Sequence, residues 1–542
     1  MESNMTTKAA SDLSRTCLPA WGRADLPEPR PLGWRNLAGF LGPGIVMCGI
    51  QIGGGEWLFG PDITAKYGGG LMWIATVSIL LQAFYNIECG RYALYCGEPV
   101  FTGFMRTRPG PWFWVGVAML LNLGALIPGL STNGAVLIAS LVLDRPPAAG
   151  DGALVGGLAY GCLALVVLPV LAGGKVYNAL EVVMTAKVFI VLGFCLFIGV
   201  FFVSWRGWAD VFGGFVEFGN VPVADGRGGE TVKNLFAHFF EHGEWPAIAL
   251  ANIALVGAFA GYAGGGGLSN STYSNFVRDK GWGMGSRVGA IASAIGGRRV
   301  TLSHLGKVFA VDVEGLRRWR GWWKYILTDQ LLVWVPGCFM GMALPALLSI
   351  EFAHHSPMYG QHGLEYAQPL IAADGLRHAP EFGPGTSQTL WIVTLFVGLM
   401  VFLPSQMSIV DDVARRWTDI IWSANRRVRE RMGDNQVRFV YYGILGSYVL
   451  WSFISATIFL RFGDAPKLMV TTIANLNNLA IGVTAFHVLW INRTLLPVPL
   501  RPRWYAQAGI AACGTFYLGL AALVFFAKIL PMLTESAGPE GR

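Results

Sequence analysis

The chain has 542 residues, of which 53% are hydrophobic and 13% are charged. Because soluble domains carry roughly 25% charged residues, this composition excludes a string of soluble domains and indicates a polytopic membrane protein, as does the mean hydropathy of +0.48. The net charge of +7 has to be located before it is interpreted, since basic residues serve both nucleic-acid binding and membrane orientation.

Apolar segments predict an all-α membrane protein with about eleven transmembrane helices, because a bilayer core about 30 Å thick needs about 20 apolar residues per helix. The single transporter domain is expected over residues 38–530, between a polar arm (1–37) and a tail (531–542). The expected spans are 38–64, 70–87, 112–142, 153–172, 183–204, 246–276, 326–349, 388–410, 439–460, 468–491 and 505–530.

The distribution of Lys and Arg predicts the orientation. With the N-terminus inside, the inner segments hold 30 of the 40 basic residues, which agrees with the positive-inside rule. These segments are 1–37, 88–111, 173–187, 277–325, 411–438 and 492–504. The positive charge is therefore expected to face anionic lipid at the inner side of the cell membrane, and a nucleic-acid partner is not predicted.

Two glycine runs interrupt the predicted helices. Span one contains Gly53, Gly54 and Gly55, followed by Glu56, and span six contains residues 264–267, all glycine. Helices in lipid are broken only where the freed backbone groups line a cavity or find other partners. Glycines that let neighbouring helices pack closely are the alternative interpretation.

The two breaks head two halves of five spans each, which is the pattern of an inverted-repeat transporter with its site near the bilayer midplane. The first repeat is expected at about 38–204, the second at about 246–491, and an extra helix at about 505–530. Unwound carbonyl groups at such breaks can coordinate a cation, whereas helix N-termini favour negative charge.

Glu56 is the first candidate for function, since an ionisable group inside a span commonly marks a substrate or proton path. The alternative is that its carboxylate caps the second half-helix. The other substrate-binding candidates near the breaks are Gln51, Gly53, Gly54, Gly55, Gly264, Gly265, Ser269 and Asn270. Such a site is all oxygen and suits Mg²⁺, Ca²⁺, Mn²⁺ or Na⁺, with Glu56 as the metal ligand.

Polar residues in three other spans are secondary candidates. They are Asn122, Ser405, Gln406, Asn475 and Asn478. Polar side chains in membrane helices also join neighbouring helices without touching substrate.

The segment LGPGIVMCGIQIGGGEW resembles the first helix of the Nramp (natural-resistance-associated macrophage protein) divalent-metal transporters, which reads GPG…DPGNW. The resemblance extends weakly over residues 35–505, including LEVVMTAKVF at 180–189 and the segment 477–502. It implies the LeuT-type fold and secondary transport of divalent metal, usually coupled to protons.

The chain departs from that family at the positions expected to bind metal. Gly53 and Glu56 stand where the family has Asp and Asn, and the family's Met-Pro-His motif falls near residues 261–263, which are Gly, Tyr and Ala. The third span offers Asn122 where the family has a proton-relay Asp and Glu. The resemblance therefore indicates a divergent relative whose metal selectivity is not carried over.

Two features outside the spans allow other functions. His238, Glu241 and His242 form HxxEH, a metallopeptidase spacing, although a solvated outer helix is favoured. The inner segment 277–325 has apolar residues at helical spacing over 302–309 and a Trp- and Arg-rich stretch, which predict an interfacial helix rather than a signalling element.

The sequence thus predicts a secondary transporter that moves a small, divalent-type cation by alternating access. The alternative within transport is a symporter of a small organic solute or anion. No GxxxxGK[ST] motif is present, so neither ATP nor another cofactor is predicted, and an enzyme is not favoured. The substrate, the coupling to protons and the oligomeric state stay open.

Overall fold

A computed structural model describes residues 17–33, 42–171, 174–224, 229–250, 252–359, 366–462 and 466–531. Parts of the predicted arm (1–16 and 34–37) and most of the predicted tail (532–542) lie outside the described residues.

The first half of the chain is almost entirely helical. Proline at the first turn starts several helices, among them those that begin at Pro43 and Pro111, because its missing N–H is not needed there. In chain order the elements are β1 (Gly22–Arg23), α1 (Pro43–Gln51), a π-helical turn (Gly55–Phe59), α2 (Gly60–Tyr67), a 3-10 turn (Gly68–Leu71), α3 (Trp73–Cys96), α4 (Val100–Arg106), α5 (Pro111–Leu121), a 3-10 turn (Leu123–Leu126), α6 (Gly129–Leu143), a 3-10 turn (Ala149–Asp151), α7 (Gly152–Leu165), a 3-10 turn (Leu168–Leu171) and α8 (Val176–Phe202).

A small group of short elements follows the fifth span. It contains α9 (Trp205–Gly214), an antiparallel hairpin of β2 (Asn220–Ala224) and β3 (Glu230–Asn234), and α10 (Leu235–His242). The side chain of Asn234 accepts hydrogen bonds from the N–H groups of Phe236 and Ala237, which caps α10.

The second half repeats the helical pattern. Its elements are α11 (Ile253–Tyr262), a 3-10 turn (Gly267–Thr272), α12 (Tyr273–Lys280), α13 (Gly285–Val288), β4 (Lys307–Val308), α14 (Val313–Thr328), a π-helical turn (Asp329–Trp334), α15 (Val335–Phe352), a 3-10 turn (Ala353–His355), α16 (Ile371–His378), α17 (Pro384–Ala424), α18 (Arg426–Arg431), α19 (Val437–Phe462), α20 (Pro466–Thr494), a 3-10 turn (Val498–Leu500), α21 (Trp504–Val524) and a π-helical turn (Phe525–Ile529).

The two halves pack in matching pairs. In the first half α1 packs against α8 and α6 against α7; in the second half α11 packs against α20 and α17 against α19. In each run of five spans, these contacts join the first span to the fifth and the third to the fourth. Across the halves, α6 packs on α17 and α3 on α15. The fold is therefore the expected 5+5 inverted repeat of the LeuT type, with the first and sixth spans interrupted.

Seven helices of the described part are long and apolar enough to cross a membrane, or eight if the helices Gly55–Leu71 and Trp73–Cys96, which meet at 98°, are counted as one bent span. The halves of the first and sixth spans are short because both helices are interrupted. The chain is an integral, multi-pass membrane protein.

The expected end of span eight near residue 410 is wrong. Helix α17 continues to Ala424 and keeps Asp411, Asp412, Arg415 and Arg416 buried. Acid and base lie four residues apart in each pair and bond to one another. Charges that neutralise each other in this way can stay inside the protein.

The expected helical spacing over residues 302–309 is also wrong. Lys307 and Val308 form β4, which pairs in parallel with β1 of the N-terminal arm. A helix is present only from Val313 onward, as α14, and its aromatic face is covered by the same arm. Trp322 Nε1 donates to the carbonyl of Pro27 (2.8 Å), and the Tyr325 hydroxyl donates to the carbonyl of Arg30 (2.8 Å).

Candidate functional site at the two helix breaks

The two glycine runs unwind their helices and meet. Helix α1 ends at Gln51 and the chain resumes as a π-helical turn at Gly55, while α11 ends at Tyr262 and is followed by extended chain. Gly264 has a φ of +109°, which side-chain-bearing residues rarely adopt. A Cβ on Gly55 would lie 2.8 Å from Tyr262 Cβ, so the two breaks pass each other without room for a side chain.

Glu56 is fully buried and turns back onto the break that precedes it. Its Oε2 accepts a hydrogen bond from the Gly53 N–H (3.0 Å). Glu56 Oε1 has no hydrogen-bond partner among the described residues. The capping role and a role toward substrate are therefore compatible, with one oxygen available for each.

A cavity of about 60 Å³ lies beside the breaks, which is room for about four to six water molecules. It lies between spans one, three, six, eight and ten. The predicted residues that line it are Gln51, Gly53, Gly54, Asn122, Gly264, Gly265, Ser269 and Ser405. Asn477, which lies between the secondary candidates Asn475 and Asn478 in the sequence, also lines the cavity.

The remaining predicted residues do not line this cavity. Asn270 donates from Nδ2 to Gln82 Oε1 and Asn86 Oδ1 (both 2.9 Å), so it fastens the second break to α3. Asn475 and Asn478 donate to carbonyls of α11, those of Ala254 and Gly257. Gly55, Glu56 and Gln406 are not among the lining residues either.

An arginine and an aspartate that the sequence analysis placed in the inner segment are part of the cavity wall. The Arg416 guanidinium pairs with Asp412 and donates to Asn122 Oδ1 (2.7 Å). Asp412 also accepts hydrogen bonds from Thr272 and from Ser269 (3.4 Å). This network joins spans three, six and eight beside the cavity.

Lys187 was expected both in an inner segment (173–187) and in the fifth span (183–204), which overlap, and the structure places it within the helix. It lies within α8 with 1% of its surface exposed, and its ammonium donates to Ser405 Oγ in the cavity wall. Helix α8 begins at Val176, earlier than the predicted 183, so Lys187 lies well inside the helix. The sequence signal was present, because Lys187 follows the apolar segment VVMTA and precedes VFIVLGF.

The formal charges around the cavity cancel. Glu56 and Asp412 are acidic, Lys187 and Arg416 are basic, and all four are buried. The described residues contain no group of three or more His, Cys, Asp or Glu side chains arranged to hold a metal ion. The site combines hydrogen-bond donors and acceptors with apolar wall residues such as Ile50, Leu130 and Ile409.

The HxxEH segment does not line this cavity and lies on the exposed helix α10. The rings of His238 and His242 stack at 4.3 Å, and His242 Nδ1 lies 3.1 Å from the carbonyl oxygen of His238. Both are on a helix without buried residues, which agrees with a solvated outer helix.

No protein-family model matches the sequence, and no curated protein matches it either. Among solved structures the chain is similar to the manganese transporter of Eremococcus coleocola in complex with an aromatic bis-isothiourea compound, at 12% identity and a TM-score of 0.55, covering 96% of this chain and 95% of that one. A mutant of the same transporter gives a TM-score of 0.54 at 12% identity, covering 94% and 91%. At this identity the similarity shows a shared fold over nearly the whole length.

Proposed function

We propose that the chain is a secondary active transporter that carries a small polar organic solute through the cavity at the two breaks by alternating access. The observation that carries this proposal is the cancellation of charge around the cavity, by Glu56 and Asp412 against Lys187 and Arg416. A divalent cation in such surroundings would keep an uncompensated charge away from water, which is costly. A neutral or zwitterionic solute would add no net charge to the cavity.

The wall chemistry supports the same cargo. Arg416 offers donors to a carboxylate or carbonyl group, Asp412 offers acceptors, and the apolar residues of the wall would contact a short hydrocarbon part. Ligand pockets for organic molecules have this composition, with few polar groups among apolar ones.

The proposal is tested by uptake into liposomes that contain the purified protein. We expect uptake of small zwitterions, with α-amino acids as the first probes, and an at least tenfold loss in Arg416→Lys, because Lys cannot reproduce the two-pronged guanidinium contact. Arg426→Lys is the matched control: Arg426 also pairs with an acid four residues away, Glu430, but on an exposed helix. Equal loss in both variants, or none in Arg416→Lys, would contradict the proposal.

A cation is the second candidate cargo, and the free Glu56 Oε1 is the observation that favours it. The similarity in fold to a manganese transporter points in the same direction. Uptake of Mn²⁺, Mg²⁺ and Na⁺ with simultaneous measurement of internal pH separates the two candidates. Metal flux with acidification, and no zwitterion uptake, would establish a proton-coupled cation carrier.

With either cargo we expect Glu56→Gln to abolish transport while the protein stays folded. Glutamine can still accept the Gly53 N–H through its Oε1, but it no longer balances the charge of Lys187. Glu181→Gln is the control, because Glu181 pairs with Lys280 (2.6 Å) outside the cavity. Undiminished uptake by Glu56→Gln would show that Glu56 serves only as a cap.

A further inference from the structure

The Lys187 side chain does not line the cavity of the proposed solute, so its ammonium is available for another role. It is fully buried in α8, in the middle of a span, where an ammonium group is costly and commonly marks a functional site. Among the described residues its one hydrogen-bond partner is Ser405 Oγ on α17. The Glu56 carboxylate attracts it electrostatically, but the two groups form no ion pair within 4.0 Å.

The Ser405 hydroxyl that this ammonium contacts lies close to backbone carbonyl oxygens of the first break. Ser405 Oγ is 3.4 Å from the carbonyl oxygen of Ile50 and 3.5 Å from that of Ile52, both at the break of span one. A Cβ on Gly53 would lie 2.9 Å from Ser405 Oγ, 3.4 Å from Ile50 O and 3.5 Å from Gln51 O. Unwound carbonyls with a hydroxyl from a neighbouring helix form the surroundings in which inverted-repeat transporters bind a coupling cation.

A free monovalent cation could not enter these surroundings while the ammonium is there. Both carry a single positive charge, and two such charges a few ångströms apart in a buried site repel strongly. The ammonium is also attached to the protein backbone, so it needs no recruitment from solution.

We propose that the Lys187 ammonium is a built-in cation that fills, between the break of span one and Ser405, the place of a free coupling ion, so that the transport cycle takes up no sodium there. This inference rests on the proposed function, because a coupling ion matters only in a transporter. The contacts of Lys187 do not depend on which cargo is carried.

The experiment measures sodium binding directly, so that it does not depend on knowing the cargo. Purified protein is tested for saturable binding of ²²Na⁺, and its melting temperature is compared in NaCl and choline chloride. The variants are Lys187→Ala, which empties the position, and Lys187→Thr, which fills part of the space and adds a hydroxyl ligand. Lys66→Ala is the matched control, because Lys66 lies on α2, outside the cavity, and faces Glu230 at 3.9 Å.

We expect no saturable sodium binding by the wild type or by Lys66→Ala, and a gain of binding in whichever Lys187 variants fold, with a melting temperature that rises in NaCl but not in choline chloride. Adding Ser405→Ala to those variants should remove the gain. Saturable sodium binding by the wild type that Ser405→Ala abolishes would overturn the inference, as would folded Lys187 variants that bind none. Even if neither variant folds, sodium binding by the wild type still tests the inference. An absence of solute uptake would contradict the proposed function but not this inference.

Discussion

At the residue scale, Glu98 is a buried carboxylate with several hydrogen bonds, in the turn between α3 and α4. It accepts hydrogen bonds from Arg106 Nε (2.8 Å), Trp21 Nε1 (2.9 Å), the Gly306 N–H (2.7 Å) and the Tyr92 hydroxyl (3.0 Å). Glu98 thereby holds the N-terminal arm against the helical domain. Burial alone would raise its pKa, but the Arg106 guanidinium and the N–H donors hold the pKa of Glu98 below its usual value.

The lowered pKa predicts how attachment of the arm depends on pH. A carboxyl group whose pKa is lower in the folded state contributes stability that is fully present above its unfolded pKa, about 4.3 for Glu, and that is lost as the pH falls through the native value. We therefore expect hydrogen exchange in residues 17–23 to be slow at neutral pH and to accelerate only below about pH 4.

The variant Glu98→Gln should release the arm already at neutral pH, because it leaves the Arg106 charge buried without its partner, at a cost of about 3–5 kcal/mol. Glu28→Gln is the control, since Glu28 binds Arg317 on the exposed surface, where ion pairs contribute about 0–1 kcal/mol. Equal exchange rates in the two variants would show that Glu98 does not hold the arm.

At the scale of elements, the breaks depend on backbone conformations that only some residues tolerate. Gly264 has φ +109°, and a Cβ there would lie 2.7 Å from Gln82 Oε1. We expect Gly264→Ala to lower both the melting temperature and uptake, because a strained backbone of this kind costs about 1–3 kcal/mol and Gln82 would have to leave the Gly265 N–H that it binds.

Gly161→Ala in α7 is the control for that substitution. A Cβ at Gly161 meets no atom within 4 Å, so Ala should leave uptake unchanged and raise helix stability by up to about 1 kcal/mol. The measurement is thermal unfolding in detergent together with uptake. Similar melting temperatures for both variants would show that the second break tolerates a side chain.

The breaks were predictable because glycine runs are a local signal, and the 5+5 arrangement followed from their positions in the order of spans. The residues that surround the breaks were not predictable. Arg416 and Asp412 looked like the start of an inner loop because hydropathy treats each charge separately, whereas the structure pairs them within one helix. That Lys187 meets Ser405 depends on the packing of α8 against α17, which no local pattern reports. The spacing of four between Asp411 and Arg415 and between Asp412 and Arg416 was the available sign that α17 continues.

At the scale of the whole molecule, buried ion pairs join several helices. Arg278 at the end of α12 bonds to Asp279 and Asp419, and Arg415 on α17 bonds to Asp279 and Asp411. Asp411 also accepts the hydroxyl of Tyr441 on α19 (2.6 Å). The sixth, eighth and ninth spans are thus tied together on the side to which the basic residues assign the cytoplasm. A movement of α12 away from α17 would have to separate Arg278 from Asp419 and Arg415 from Asp279.

The native cysteines offer a test of orientation. Of the eight, Cys17 in the arm is exposed and the other seven are buried. If the N-terminus is cytoplasmic, a membrane-impermeant maleimide should label inside-out vesicles and leave intact cells unlabelled. The control is Glu244→Cys in the outer segment after α10, which should be labelled in intact cells. Labelling of Cys17 in intact cells would reverse the assigned orientation.

The bond between Glu56 and the Gly53 N–H has a consequence for the strength of cargo binding. A carboxylate on an incoming solute that seeks this N–H finds a carboxylate of the protein already there, at 3.0 Å. Glu56 is three residues away along the chain and so acts as an internal competitor at a local concentration of at least about millimolar. A carboxylate cargo that uses this group would bind weakly and leave readily, and this site would favour rapid turnover over tight capture.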